Sequence, residues 1–136
     1  MKKGLTLMEL LVVIIIIGAI ALITLPIING VIRNSRQNLF EFQVNEIEKA
    51  AQDWMYKNID CLPPLDAQKC NTSAVVNFNN NNTTIRLLTL KESGLVEIDI
   101  RDPRNDCPFN EIQTTITITV ENNSYTYKAN PVIEEC

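Results

Sequence analysis

Residues 4–28 read GLTLMELLVVIIIIGAIALITLPII, and the rest of the chain is organised around them. Between Glu9 and Arg33 there is no charged side chain, so Leu10 to Ile28 gives 19 consecutive uncharged residues. A helix needs roughly 20 to cross the hydrocarbon core of a bilayer, and the stretch predicts a membrane-spanning helix. Glu9 is the exception to its apolar character. On insertion scales a carboxylate costs about 2.5–3.5 kcal/mol at the bilayer centre and less near the interface, so a partner is needed to offset it. A cut after Gly4 would create one: the new amine of Leu5, a positive charge that Glu9 of a neighbouring chain could neutralise.

Gly4 followed by Leu5-Thr6-Leu7-Met8-Glu9-Leu10 resembles the leader junction and first helix of the type IV prepilins and type II secretion pseudopilins. The shared parts are a short basic leader, here with Lys2 and Lys3, a glycine before the cut, a Thr-Leu pair and a glutamate fifth after it. Leu5 stands where the family usually has phenylalanine. The resemblance implies that a membrane-embedded aspartyl prepilin peptidase removes residues 1–4 and methylates the Leu5 amine. It also implies assembly through Leu5, Glu9 and the helix, with Pro26 falling where these proteins often carry a helix-disturbing proline. The implied partners are that peptidase, an inner-membrane assembly platform, other copies or related pilins in a helical filament, and lipid before assembly. The implied location is a single pass through the cytoplasmic membrane, then an extracellular or cell-surface filament.

Other readings of the stretch fit less of it. Ala19-Ile20-Ala21 offers the small-residue pattern of a secretory cleavage site, but the apolar run continues through it and holds a glutamate. A lipoprotein needs a cysteine directly after the run, and the first is Cys61. A plain signal anchor explains the hydrophobicity but not Glu9 beside Gly4.

Past the first helix about 80 residues remain, a size at which a core benefits from staples. Cys61, Cys70, Cys107 and Cys136 all follow the apolar run, and the basic leader would hold the N-terminus inside, so they are exported to where disulfides persist. Four cysteines allow three connectivities. The favoured one joins Cys61 to Cys70 around Pro63 and Pro64, and Cys107 to Cys136 at the C-terminal end. With no histidine and no C-x-x-C spacing, metal ligation by these cysteines is disfavoured. The formal net charge of −4 becomes −6 when Lys2 and Lys3 leave. Such an acidic surface argues against strong binding to nucleic acid, which needs clustered cations.

Along the chain, Val31, Ile32, Leu39, Phe40, Val44, Ile47, Ala50, Ala51 and Trp54 recur at the spacing of an amphipathic helix. The spacing predicts one helix from about Thr6 to Asn58, roughly 80 Å long, loosened near Leu22 to Pro26 where proline removes a donor. The expected parts are a leader (1–4), a membrane or filament-core helix (5–28), its amphipathic continuation (29–58) and a disulfide-stapled β domain (59–136). The fold class is α+β: a long helix packed on a small antiparallel sheet, pilin-like. Residues 58–82 read as linker with a short strand at Ala74 to Phe78. Thr83-Thr84 through Gly94 reads as a capped helix, with a strand as the alternative over Ile85 to Leu90. Leu95 to Ile100 reads as a strand by its alternation. Ile112 to Val120 and Ser124 to Ala129 read as a hairpin about Asn122-Asn123. Asp99, Asp102 and Asp106 are weak calcium candidates, since some pseudopilins of the resembled family bind calcium in a C-terminal loop. Their spacing is not that of an EF-hand, and Arg101 and Arg104 are interleaved.

No nucleophile and base pair is visible, no glycine-rich phosphate loop occurs, and no cofactor is expected. The expectation is a structural filament subunit rather than an enzyme, serving a pilus, a secretion system or competence. The alternative from another class is a monomeric binding domain on a membrane tether.

Overall fold

Helix α1 runs from Leu7 to Lys57 and has two kinds of surface. In the computed structural model, which describes residues 4, 6–62, 70, 74–79 and 81–136, the chain divides into two compact units, Met1–Gln37 and Asn38–Cys136. In the first unit every described side chain of α1 is exposed, Leu22 to 77%. In the second, α1 buries Ile47, Ala50, Ala51, Trp54 and Met55, and Phe40 and Val44 pack partly against the same core. Val31, Ile32 and Leu39, expected to join this stripe, remain exposed. Strand length accounts for the limit. A seven-residue strand spans about 24 Å, the rise of about 16 helical residues, which is the reach from Phe40 to Met55. The helix ends where the backbone N–H and side-chain amide of Asn58 both donate to the Trp54 carbonyl, at 3.0 and 2.9 Å. A 3-10 turn at Ile59–Cys61 follows.

The sheet is antiparallel throughout, in the order β1 (Val75–Phe78), β2 (Asn82–Arg86), β3 (Thr115–Glu121) and β4 (Ser124–Asn130). Helix α2, Leu87–Glu92, follows β2 directly. The core is formed by α1 together with Ile85, Leu87, Leu90, Phe109, Ile116, Ile118 and Ala129. The chain is therefore an α+β fold, a long N-terminal helix on a small antiparallel sheet.

Three local expectations are corrected. Thr83-Thr84 does not cap a helix but lies in β2, with Thr83 fully buried and its hydroxyl donating to the Cys61 carbonyl at 2.9 Å. The helix starts after Arg86, which gives no side-chain cap, and it ends as read, on Gly94 at φ 71°. There the N–H groups of Leu95 and Gly94 reach back to the carbonyls of Leu90 and Lys91, a Schellman closure. Leu95 to Ile100 forms no strand; it runs as bends and turns, with Ile98 85% exposed. β3 begins at Thr115 rather than Ile112. The side-chain oxygen of Asn110 accepts from the N–H groups of Ile112 and Gln113, at 3.1 and 2.8 Å, and holds a turn there. The β3–β4 turn has the expected geometry, with Asn122 and Asn123 at φ 48° and 65°, both positive as a two-residue hairpin of type I′ demands.

Ile118→Ala, at a fully buried position, should cost about 2–5 kcal/mol in thermal or denaturant unfolding of the full chain in neutral micelles. Ile112→Ala, 57% exposed, should stay within about 0.5 kcal/mol. Equal losses would restore Ile112 to the strand.

Candidate functional site

The N-terminal site is built from the first turn of α1. Thr6 precedes the helix and Glu9 is its third residue. The Glu9 N–H donates to Thr6 Oγ1 at 3.3 Å, and the Thr6 N–H donates to Glu9 Oε2 at 3.4 Å. This reciprocal arrangement is a capping box, T-x-x-E, and the carboxylate also lies at the positive end of the helix dipole. The T-x-x-E spacing of Thr6 and Glu9 is itself the sequence signal for this cap. Gly4 is exposed just upstream, with open space where a side chain would stand; Leu5 lies outside the described residues. Pro26 is inside α1, whose assigned helical span passes through it. Lacking an N–H, it leaves the Leu22 carbonyl without its usual helical donor, while the Thr24 hydroxyl donates to the carbonyls of Ile20 and Ala21, at 3.1 and 3.3 Å. The helix is long and apolar enough to cross a membrane.

The folded unit places the cysteines in two disulfides, Cys61–Cys70 and Cys107–Cys136, with Cα separations of 4.8 and 5.8 Å. The loop before Cys107 turns on Asp102, whose side chain is 1% exposed. Its carboxylate accepts from the Arg104 backbone N–H at 2.9 Å and from the guanidinium at 2.8–3.1 Å. That guanidinium stands 3.6 Å from the centre of the Phe40 ring, which stacks on Phe109. One arginine thus ties the loop to α1 through charge and ring together. Burial by itself would raise the Asp102 carboxyl, but the side-chain and backbone hydrogen bonds from Arg104 and its charge outweigh it and hold the carboxyl below the ordinary range. Asp99 is paired with Arg101 at 3.1 Å, and the Asp106 carbonyl accepts from the same arginine at 3.0 Å. The three aspartates therefore share a loop whose charge is met by arginines. No group of three or more potential metal ligands comes together among the described residues.

Two further contacts fix β4 to α1, and no local sequence signal marks either. Glu48 accepts from the Ala129 N–H at 3.0 Å, occupying an outward-facing donor of an edge strand. Tyr127 donates its hydroxyl to the sulfur of Met55. Burial, with Tyr56 and Tyr125 nearby, pushes the Tyr127 phenol up.

A scan against protein-family models finds no match to the chain, and comparisons with curated proteins and with solved structures find none either.

Two outcomes are expected in the folded unit. Asp102 contributes fully above the unfolded carboxyl value of about 3.9, and that contribution is lost as pH falls through the lower folded value. Asp102→Asn should therefore cost roughly 1.5–3 kcal/mol near pH 7 and flatten the fall in melting temperature below about pH 4. An unchanged acid profile would remove Asp102 as its source. In the chain-entropy picture, deleting the 29-residue Cys107–Cys136 link should cost about 4 kcal/mol, and deleting the 9-residue Cys61–Cys70 link about 3 kcal/mol. Paired Cys→Ala variants compared by unfolding check the order.

Proposed function

We propose that the chain is a structural subunit of a type IV pilus-like filament, cut after Gly4 by a prepilin peptidase and assembled through its N-terminal helix. The observation that carries this reading is the pairing of an exposed apolar helix surface with a single carboxylate at its head, Glu9, five residues past a glycine. In lipid the apolar surface is satisfied by acyl chains. In a filament, first helices from many copies satisfy one another, and the folded units, each closed around its own core, lie outside the stack. Glu9 sets the axial register by meeting the Leu5 amine of an adjacent copy, because a misregistered copy would keep the desolvation cost of the acid. Before assembly the subunit is a single-pass protein of the cytoplasmic membrane; afterwards it belongs to a cell-surface or extracellular filament. Methylation of the Leu5 amine, the assembly platform and related pilins complete the proposal. A secretion pseudopilin or a competence pilin would use the same machinery.

One observation favours a tethered monomeric domain as the second reading. The Thr6–Glu9 capping box satisfies the carboxylate within its own chain, and a tether asks no more of it. The two readings part on substitution. Thr6→Ala removes a cap worth about 1 kcal/mol and should leave filaments, whereas Glu9→Ala should leave cleavage at Leu5 but abolish filaments sheared from cells and viewed by electron microscopy. Filaments from Glu9→Ala, or an uncut Met1 terminus by mass spectrometry with normal surface display, would sink the filament reading.

A further inference from the structure

Antiparallel register puts a set of residues on the sheet face turned away from the core that no sequence window brings together. Thr83, Ile85, Ile116, Ile118 and Ala129 are buried on the inner side, so their neighbours in β2, β3 and β4 face outward. Across the outer face, Arg86 is opposite Thr115 and Thr115 opposite Asn130; in the next row, Thr84 is opposite Thr117 and Thr117 opposite Lys128. Thr84 and Thr117 touch through their hydroxyls at 3.4 Å. The single carboxylate these three strands contribute to this face is Glu121, four residues along β3 from Thr117, or about 14 Å.

The charge on this face runs against the rest of the unit. Among the described residues of Asn38–Cys136, Lys49, Lys91, Arg101 and Arg104 are ion-paired with acids. Arg86, Lys128 and, away from this face, Lys57 of α1 have no such pair among the described residues, and Arg86 Nε is buried with no hydrogen-bond partner. In a chain of net charge −4, two cations without an ion pair over a ladder of hydroxyls and amides mark a place that attracts an anion, although the Glu48 carboxylate holds the Ala129 N–H at the β4 edge beside Lys128. The two cations are separated by two strand spacings, about 10 Å, and one row, about 7 Å. Two anchor points set apart along a polar face suit a chain carrying charges at intervals. The aromatic residues of β4, Tyr125 and Tyr127, lie at inward positions of the strand, so β2, β3 and β4 put no ring on this face for the stacking that single-stranded nucleic acid uses. Hydroxyls and amides are the groups that bond sugar hydroxyls.

We propose that the outer sheet face, through Arg86 and Lys128 flanking Thr84, Thr115 and Thr117, binds an acidic polysaccharide. The site itself does not depend on the filament reading. If the filament forms, its repeat multiplies a modest affinity by avidity.

The test uses the full chain in neutral detergent micelles, so it does not require assembly. Titrations at low salt would compare a sulfated oligosaccharide, a polyuronate, neutral dextran and oligodeoxythymidylate of matched charge. Binding to one or both acidic sugars and not to dextran is expected. Arg86→Gln with Lys128→Gln should weaken it about tenfold and lower the slope of log affinity against log salt by about two. Lys57→Gln, a cation of α1 outside this face, should leave binding unchanged, and Thr117→Lys, adding charge to the middle row, should tighten it several-fold. No binding to either acidic sugar, an equal loss from Lys57→Gln, no gain from Thr117→Lys, or tighter binding of the oligodeoxythymidylate would each overturn the proposal.

Discussion

Ile47, Ala51 and Trp54 of α1 share one core with Ile85, Ile116 and Ile118 of the sheet, each no more than 3% exposed, and the folded unit depends on that contact. A sheet of four short strands has one apolar face that is costly to leave in water. The second half of α1 supplies the surface that covers it. The remaining devices hold the sheet and its loops to the helix: Glu48 on the edge of β4, Tyr127 on Met55, and Arg104 between Asp102 and Phe40. The disulfides join Cys61, just after α1, to Cys70 and the C-terminal Cys136 to Cys107. Thr114 adds to the second, exchanging hydrogen bonds with the backbone of Val132 at 3.0 and 2.9 Å.

The helix thus presents two kinds of surface. Its C-terminal half is amphipathic because one side meets the sheet and the other meets water. Its N-terminal half is apolar all round and calls for lipid or for other apolar helices. A carboxylate at the head of such a segment needs a donor, and the Thr6–Glu9 box provides one within the chain. Under the proposed assembly the Leu5 amine of a neighbour provides a stronger one. On that proposal, local capping would serve the unassembled subunit, and exchange to the intermolecular partner would reward correct register.

Much of this was legible in the sequence where a period or a turn signal was long and unopposed. The helix could be read over its whole length because a run of 19 uncharged residues passes into a 3.6-residue stripe without a breaker other than Pro26. The Asn122-Asn123 hairpin was legible because its turn type demands residues that tolerate positive φ. Failures came where short patterns compete. Thr83-Thr84-Ile85 suits a cap and a strand equally, and tertiary pairing with β3 decides for the strand. Leu95 to Ile100 alternates like a strand, but the Schellman turn at Gly94 directs the chain into bends. Ile112 continues the alternation of β3 only on paper, since the Asn110 side chain closes a turn across it. Glu9 was found by its position in an apolar run and its capping role was missed. The Arg86 and Lys128 face could not be found at all, because only register across three strands brings residues 42 positions apart onto neighbouring rows.

The central claim is that Glu9 meets the Leu5 amine of another copy. Zero-length carbodiimide coupling of filaments assembled from equal amounts of light and 15N-labelled chains, followed by peptide mass spectrometry, addresses it directly. The account predicts an amide between Glu9 and the Leu5 terminus that includes mixed-isotope peptides. A crosslink confined to single-isotope peptides would place the contact within one chain and contradict the register role.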